Sequence, residues 1–599
     1  MARKNLKHQI IAGLSTTLLL GMLVVNPVFS REEANTSTQP TTTISQPGTV
    51  TAKAKDGVVT LKDDKVYQTA NASFEETLDI SQEDWSKLTW TFGNEKHGVK
   101  PIAEWKTWLQ QENGGFVGEP MFEISGTNSQ LKITYHSMFG EKVDKRWPVN
   151  ARRTYRNYIG DYELKGTSAD GKVVVKKKIT IRPYESFKTH EEMLQSIEES
   201  RAKAHAGRQV TLETIGVSAH NNDMKMGIVA ENQAAIDDYL NHITPEMLKN
   251  PDKLLAELKA GKLNYKLPIF VHNTHADEQP GIDIVTDLFR DFATKETISF
   301  QTLVGEGISK ENKITKDVRL NIEELLKHFI FIFDFTENPD GDILNTRSFA
   351  NGIDPNRDAG FQTNPETRSV ITQINKWNPL ALLDIHGYQE SFLIEPATPP
   401  HDPNFELDLF ASALRENAHA MGNAGIANSN QPSYLIPLEE FLKGPGVGDE
   451  EYTAGGWDDS SSGYTGVYAV YQGILGHTME IPAANQDSYR AGFYAVLGSI
   501  NYLNENRDRL FENKLNFFSR GIHKTETKEA ENYLIGPDQK VVGRDKTGRD
   551  VDFPDYYVLP LTPSKDNDTD QAFSMVEYFK RNGVEVKELT KDVGDYKKG

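Results

Sequence analysis

Between residues 209 and 482 the chain carries short, almost wholly apolar runs: LPIFVHN (267–273), HFIFIFDF (328–335), LALLDIHG (380–387) and LGHTMEIP (475–482). A run that is apolar at both odd and even positions has to be buried on both faces if it is a strand, so other elements must cover it. Segments of helical period lie between these runs, among them GIDIVTDLFRDF and NIEELLKH. VTLETIGVS and KMGIVAEN supply two further strand candidates. Strands alternating with helices predict an α/β domain. It begins where the period changes from two to about 3.6, at SFKTHEEMLQSIEESRAKA, with Met193, Leu194 and Ile197 on one helix face. We place this domain at 184–525 and find no internal repeat in it.

At 599 residues the chain is too long for one ordinary core, and two or three folded units are expected. Residues 56–183 hold short β-branched and aromatic runs between turn signals, GVVTLKD, LTWTFGN, QLKITYHSM, RTYRNYIGDYELKG and KVVVKKKITIRP. That spacing predicts a β-rich, sandwich-like domain. The lysine-rich last run reads as an alternating strand with a solvated face. Residues 31–55 are rich in Thr, Ser, Gln and Pro and form a disordered linker. Residues 1–30 place Arg3, Lys4 and Lys7 before an apolar run that ends near Ser30, the pattern of a secretory signal peptide. A retained anchor is the alternative, but Ser15, Thr16, Thr17 and Asn26 interrupt the run. The C-terminal segment, 526–599, reads as strand, helix, strand: either packed on the α/β domain or part of an incomplete one. Asp566, Asp568, Asp570 and Glu577 have calcium-loop spacing, but Gln571 stands where the loop needs Gly, so a capped helix start is the better reading.

The formal charge is −20, and removing residues 1–30 deletes three positive charges and no negative ones, giving −23. Nucleic acid is excluded as a partner on that balance. There is no cysteine, so a metal would have to be held by His and carboxylate.

His275 and Glu278 follow the LPIFVHN run, and a His-x-x-Glu pair alone is close to a chance occurrence. His386 ends another apolar run. In an open α/β sheet the carboxyl ends of strands share one crevice, so the three side chains can meet although distant in sequence. Two histidines and a glutamate are a donor set for catalytic zinc, which leaves a position for water. Hydrolysis then needs a base that relays the water's proton, and Glu480, a lone carboxylate in the apolar run LGHTMEIP, fits; the alternative is an exposed edge-strand acid. The loop FTENPDGDILNTRSFANGIDPNRDAGF carries Arg347, Asn356 and Arg357, donors suited to a free carboxylate and a developing oxyanion, or to surface ion pairs.

Taken together and in order, His-x-x-Glu, NPDG, an Arg before Gly-x-Asp-x-Asn-Arg, a strand-terminal Ile-His, a Tyr before Gly-Gly and a late strand Glu resemble the zinc carboxypeptidase (carboxypeptidase A-like) family over about 184–520. The resemblance implies a mixed-sheet catalytic domain with one Zn2+ per chain on His275, Glu278 and His386. It implies Asp354 as outer partner of His275, Glu480 as general base and Arg347 as polariser of the scissile carbonyl, with Arg368 as its rival. It further implies Asn356 and Arg357 as the clamp on the terminal carboxylate, Tyr452 as a mobile tyrosine, and Asp458 near the base of the specificity pocket, where an acid would favour Lys or Arg. Asp277 departs from the pattern, since many relatives carry Arg there. The expected activity is hydrolysis of C-terminal residues from peptides or proteins with a free C-terminus. The protein would be secreted, without stable membrane insertion after signal cleavage, and association with the cell wall is a further expectation for it. Rival readings are a zinc hydrolase for cell-wall stem peptides or an N-acyl substrate, and a non-catalytic binding protein on the same fold.

Overall fold

The computed structural model describes residues 51–591 apart from 53, 56–57, 79–86, 111–114, 128–129, 139–154, 390, 397–404, 438–460, 526–555 and 562–567. The signal and most of the linker expected at the N-terminus lie outside the described residues. Among the described residues no helix is long and apolar enough to cross a membrane.

The four most apolar runs form strands in which every residue is buried: Leu267–His272, Phe329–Asp334, Ala381–Gly387 and Leu475–Ile481. They lie parallel in the spatial order 329–334, 267–272, 381–387, 475–481. Strands Asp223–Ala230 and Gln209–Val217 extend the sheet antiparallel on one side. On the other, Phe392–Pro396 runs antiparallel to 475–481 and pairs with Tyr434–Leu435. The result is a mixed eight-stranded sheet within an α/β fold.

Helices cover both faces, as the apolar runs require. A Cβ on Gly476 would stand 2.2 Å from the Gly466 carbonyl oxygen, so helix Thr465–Tyr471 lies directly on the face shared by Gly476, Thr478 and Glu480. Gly492, in helix Gln486–Glu505, packs against Met479 and Ile481 on the opposite face. Helix Gly281–Thr294 turns Ile284, Val285, Leu288, Phe289 and Phe292 into the same apolar core. Upstream, helix His190–Ala202 starts on a capping box, with Thr189 and Glu192 each satisfying the other's backbone N–H.

The described residues up to Arg182 include two packed sheets, one of four strands and one of seven. Their shared core joins Phe122 of the smaller sheet to Phe92 of the larger at 4.8 Å between ring centroids, and Phe92 stacks on Tyr162 at 5.0 Å. This is the sandwich architecture expected of the β-rich region. The strand Val173–Arg182 does alternate, but Lys177 points inward and is fully buried, which corrects the expectation of a wholly solvated lysine face. Its Nζ donates to the Lys62 carbonyl at 2.7 Å and pairs with Asp64 and, at 2.8 Å, with Glu76 of the other sheet. A buried ammonium survives only with such partners.

In the C-terminal segment, helix Thr569–Arg581 forms and is capped by Asp568, whose Oδ1 accepts N–H groups from Asp570 and Gln571. The acids with calcium-loop spacing are therefore used, in part, as a cap. The described residues on either side, 556–561 and 584–590, form no strand, against the strand–helix–strand expectation. The helix lies against the α/β region instead, where Tyr578 Oη donates to the Gly360 carbonyl at 2.8 Å and Arg581 Nε to Gln362 Oε1 at 3.0 Å.

Two predictions concern stability. Lys177→Met leaves the partly buried carboxylates of Asp64 and Glu76 without their cation, and should cost about 3 kcal/mol. It would be read as a lower urea midpoint in tryptophan fluorescence, since five of the seven tryptophans precede residue 150. His477 is buried with Nε2 donating to the Leu414 carbonyl at 2.9 Å, and burial pushes its pKa down from 6.5 to about 4. The unfolded chain takes up a proton below 6.5 that the folded chain refuses until about 4, so stability is full above this window and falls as pH drops through it. The loss should reach about 3 kcal/mol, and His477→Gln should flatten that part of the pH profile of the melting temperature.

Candidate metal centre

Parallel strands bring their carboxyl ends to one edge, and each candidate residue sits there. His275 and Glu278 lie in the turn after strand 267–272, where the Glu278 N–H donates to the His275 carbonyl at 3.2 Å. Asn273 ties this turn to the neighbouring strand through Nδ2 to the Ile385 carbonyl at 2.8 Å. Thr274 does the same through its N–H and Oγ1 to Asp384, at 3.2 and 2.8 Å. Gly281 is required where the following helix begins, because a Cβ there would lie 2.4 Å from Asn273 Nδ2. His386 is the penultimate residue of strand 381–387 and stands in register with Glu480 on strand 475–481. Register partners project to the same face of the sheet, so Glu480 is aimed beside His386.

The structure brings the three predicted ligands together, all buried. His275 Nδ1 and His386 Nδ1 are 2.9 Å apart, and Glu278 Oε2 is 3.0 Å from the first and 3.1 Å from the second. The other ring nitrogens face carboxylates: His275 Nε2 meets Asp354 Oδ1 at 2.8 Å and His386 Nε2 meets Asp384 Oδ2 at 2.7 Å. Those carboxylates fix the tautomers, with the proton on Nε2 and the Nδ1 lone pairs turned inward. Three lone pairs converging on one point repel one another unless a cation lies among them. Ligand atoms about 2.0–2.1 Å from a tetrahedral zinc are about 3.3 Å apart, a few tenths more than the spacing here. The donor set therefore fits a zinc ion.

The electrostatics fit as well. Burial alone would raise Glu278, but with no metal bound His275 and His386 carry protons toward it and, with Arg347, hold its carboxyl well below the ordinary range, so that a cation at this point is favoured whether it is a proton or a metal ion. Glu480 is pushed up to about 7, chiefly by burial and then by the charge of Glu278, and its Oε2 is buried without a hydrogen-bond partner among the described residues. Behind the ligands lies a polar network that sequence reading missed. His272 Nδ1 meets Asp334 at 2.9 Å and its Nε2 approaches Glu337 at 3.4 Å. Against the effect of burial, Asp384, Asp334 and Glu337 raise His272 to about 10, so it carries a positive charge that balances Asp384. Asp384 itself had a readable signal: it lies two residues before His386 on a strand, hence on the same face.

Asp354 sits where the resemblance implied, at His275, and it also caps the turn Pro355–Arg357 through the Asn356 N–H at 2.9 Å. Arg347 reaches the centre: it pairs with Glu278 Oε1 and donates from Nε to Asp354 Oδ2 at 2.9 Å. Asn338 of the NPDG turn places it by donating to the carbonyls of Arg347 and Ser348, at 3.2 and 3.1 Å. Its rival, Arg368, is engaged elsewhere, with the carbonyls of Gln362 and Thr363. Asn356 is buried, its Oδ1 accepting from the Thr465 N–H at 2.9 Å. Arg357 is exposed and lies over the Tyr464 ring, 4.3 Å from its centroid. Tyr452 and Asp458 lie outside the described residues.

No protein-family model matches the chain, and comparison with curated proteins finds no match. Among solved structures, a metallo-carboxypeptidase from Burkholderia cenocepacia is 12% identical, covering 76% of this chain and 97% of that one, with a TM-score of 0.36. A metallo-carboxypeptidase from Pseudomonas aeruginosa in complex with (2-guanidinoethylmercapto)succinic acid is 12% identical over 76% of this chain and 96% of its own, at 0.35. Carboxypeptidase A from Helicoverpa armigera is 13% identical over 65% and 91%, at 0.34. Overlap this shallow carries nothing by itself about what this chain does. The functional reading rests on the atoms of the site.

Proposed function

We propose that this protein is a zinc-dependent carboxypeptidase that hydrolyses C-terminal residues from peptides or proteins. The observation that carries the reading is the pairing of an inward-turned donor triad, His275, Glu278 and His386, with a buried carboxylate oxygen on the strand beside it, Glu480 Oε2, that has no hydrogen-bond partner among the described residues. When bound to the triad, zinc supplies Lewis acidity, which makes water a usable nucleophile near neutral pH and polarises a carbonyl.

The chain's own residues do the rest. Glu480, held near neutrality by burial, accepts the proton of the attacking water on its carboxylate and passes it to the departing amine. Arg347 already reaches the triad, and its guanidinium donates to the oxygen on which negative charge develops. Asn356 and Arg357, on a turn capped by Asp354, hold the free carboxylate of the substrate. Tyr452 closing over the substrate and Asp458 selecting a basic terminal side chain extend the proposal to residues the structure does not describe. The basic, apolar and small-residue order of residues 1–30 supports export, and a mature protein beginning near Arg31 is the corresponding expectation.

Purified protein should carry one zinc per chain and release C-terminal amino acids in a chelator-sensitive way. Glu480→Gln should lower kcat by about 10²–10⁴-fold while zinc content stays at one. Full activity in that variant would sink the proton-transfer role. His386→Ala should instead lose the metal, separating binding from chemistry. Hydrolysis of peptides ending in Arg should exceed that of peptides ending in Phe, and the reverse order would remove Asp458 from the specificity pocket.

A further inference from the structure

The β-sandwich reaches into the region behind the metal centre through Arg156. The single turn Tyr155–Tyr158 belongs to the sandwich by its backbone: Gln68 Nε2 donates to the Tyr155 carbonyl at 2.7 Å, and Lys96 Nζ and His97 Nε2 reach the Asn157 carbonyl at 2.8 and 2.7 Å. From this turn Arg156 crosses into the α/β region, passing over the Phe187 ring at 5.7 Å. Its Nη1 donates to the Asp342 carbonyl and its Nη2 to Asp342 Oδ1 at 3.0 Å. Asp342 is 1% exposed, and its second oxygen meets His190 Nδ1 at 3.0 Å.

The same guanidinium touches the residue after Glu278. With the Gln279 amide oriented to satisfy its neighbours, its oxygen accepts from Arg156 Nη2 at 3.3 Å and its nitrogen donates to Asp283 Oδ2 at 3.2 Å. Asp283 is in turn held by the Tyr184 hydroxyl at 2.5 Å and the Lys188 N–H at 2.8 Å. On the other side of the peptide, the Tyr388 hydroxyl donates to the Gln279 carbonyl at 2.7 Å. One fork therefore spans two segments of the site: the turn bearing His275 and Glu278, and the helix Pro339–Leu344 that leads into Arg347.

We propose that Arg156 is a positioning residue through which the β-sandwich holds the metal-ligating turn and the Arg347 loop in register. The proposal rests on the reading of His275, Glu278 and His386 as metal ligands, not on the identity of the substrate. It follows that the sandwich is a working part of the centre. An ammonium at this position could neutralise Asp342, but as a point charge it could not span Asp342 and Gln279 together, whereas the planar fork does.

The test uses full-length Arg156→Lys and Arg156→Met. Zinc affinity is measured by competition with a chromophoric chelator, and the melting temperature is measured on the metal-free forms. Arg156→Met should lose both stability and affinity. Arg156→Lys should keep a near-wild-type melting temperature while its zinc dissociation constant rises about 10-fold, the low end of what removing a direct partner of a ligand does, because Arg156 acts through Gln279 and Asp342 and not on a ligand itself. Wild-type zinc affinity in Arg156→Lys overturns the proposal, and so does a loss of affinity that only follows a loss of stability. If Arg156→Met does not fold, Arg156→Lys decides alone by the same two measurements. Failure of the wild-type protein to bind zinc would strike the metal-centre reading itself and is visible before either variant is made.

Discussion

Two imidazole nitrogens and a carboxylate oxygen, each about 3 Å from the others, aim their lone pairs at one buried point. Such a convergence is costly without a cation, and much of the surrounding structure exists to hold it. Asp354 and Asp384 turn the two rings by accepting hydrogen bonds from their Nε2–H groups. His386 in front and His272 behind, with the Thr274 hydroxyl, keep Asp384 ionised at 1% exposure. These partners are as much a part of the centre as the ligands, because a ligand ring free to rotate would not present Nδ1.

The sheet supplies the coordinate frame. Four parallel strands place their carboxyl ends along one edge, and the register of 381–387 with 475–481 sets His386 beside Glu480. Glu480 needs both conditions: burial by the covering helices keeps its pKa near neutral, and register points it at the ligands. Charge compensation recurs throughout the molecule. Lys177 between two sheets is a buried charge, and so is Asp342 beneath Arg156, and in each case the partner comes from a different part of the chain.

Much of this is legible in local sequence. Apolar runs that need cover on both faces became the buried strands, periods near 3.6 became helices, and Asp568 and Thr189 capped the helices that follow them. His275, Glu278, His386 and Glu480 could be chosen because strand ends in an α/β sheet converge, and the structure brings them together. The loop carrying Arg347, Asp354 and Asn356 was also readable, its Asn-Pro-Asp-Gly sequence capping and opening the short helix Pro339–Leu344.

What the sequence determined by itself is thus the set of elements and the chemistry available at their ends, since periodicity, caps and turn residues act over a few positions. Tertiary structure alone decided which charges are buried and what they meet. Lys177 looks like one more lysine in an alternating strand until Glu76 approaches from the opposite sheet, 101 residues away in the chain. Arg156 looks like a surface arginine until Asp342 meets it across 186 residues. Local periodicity contains no term for such meetings, because the desolvation that makes them matter arises only once the two surfaces have closed.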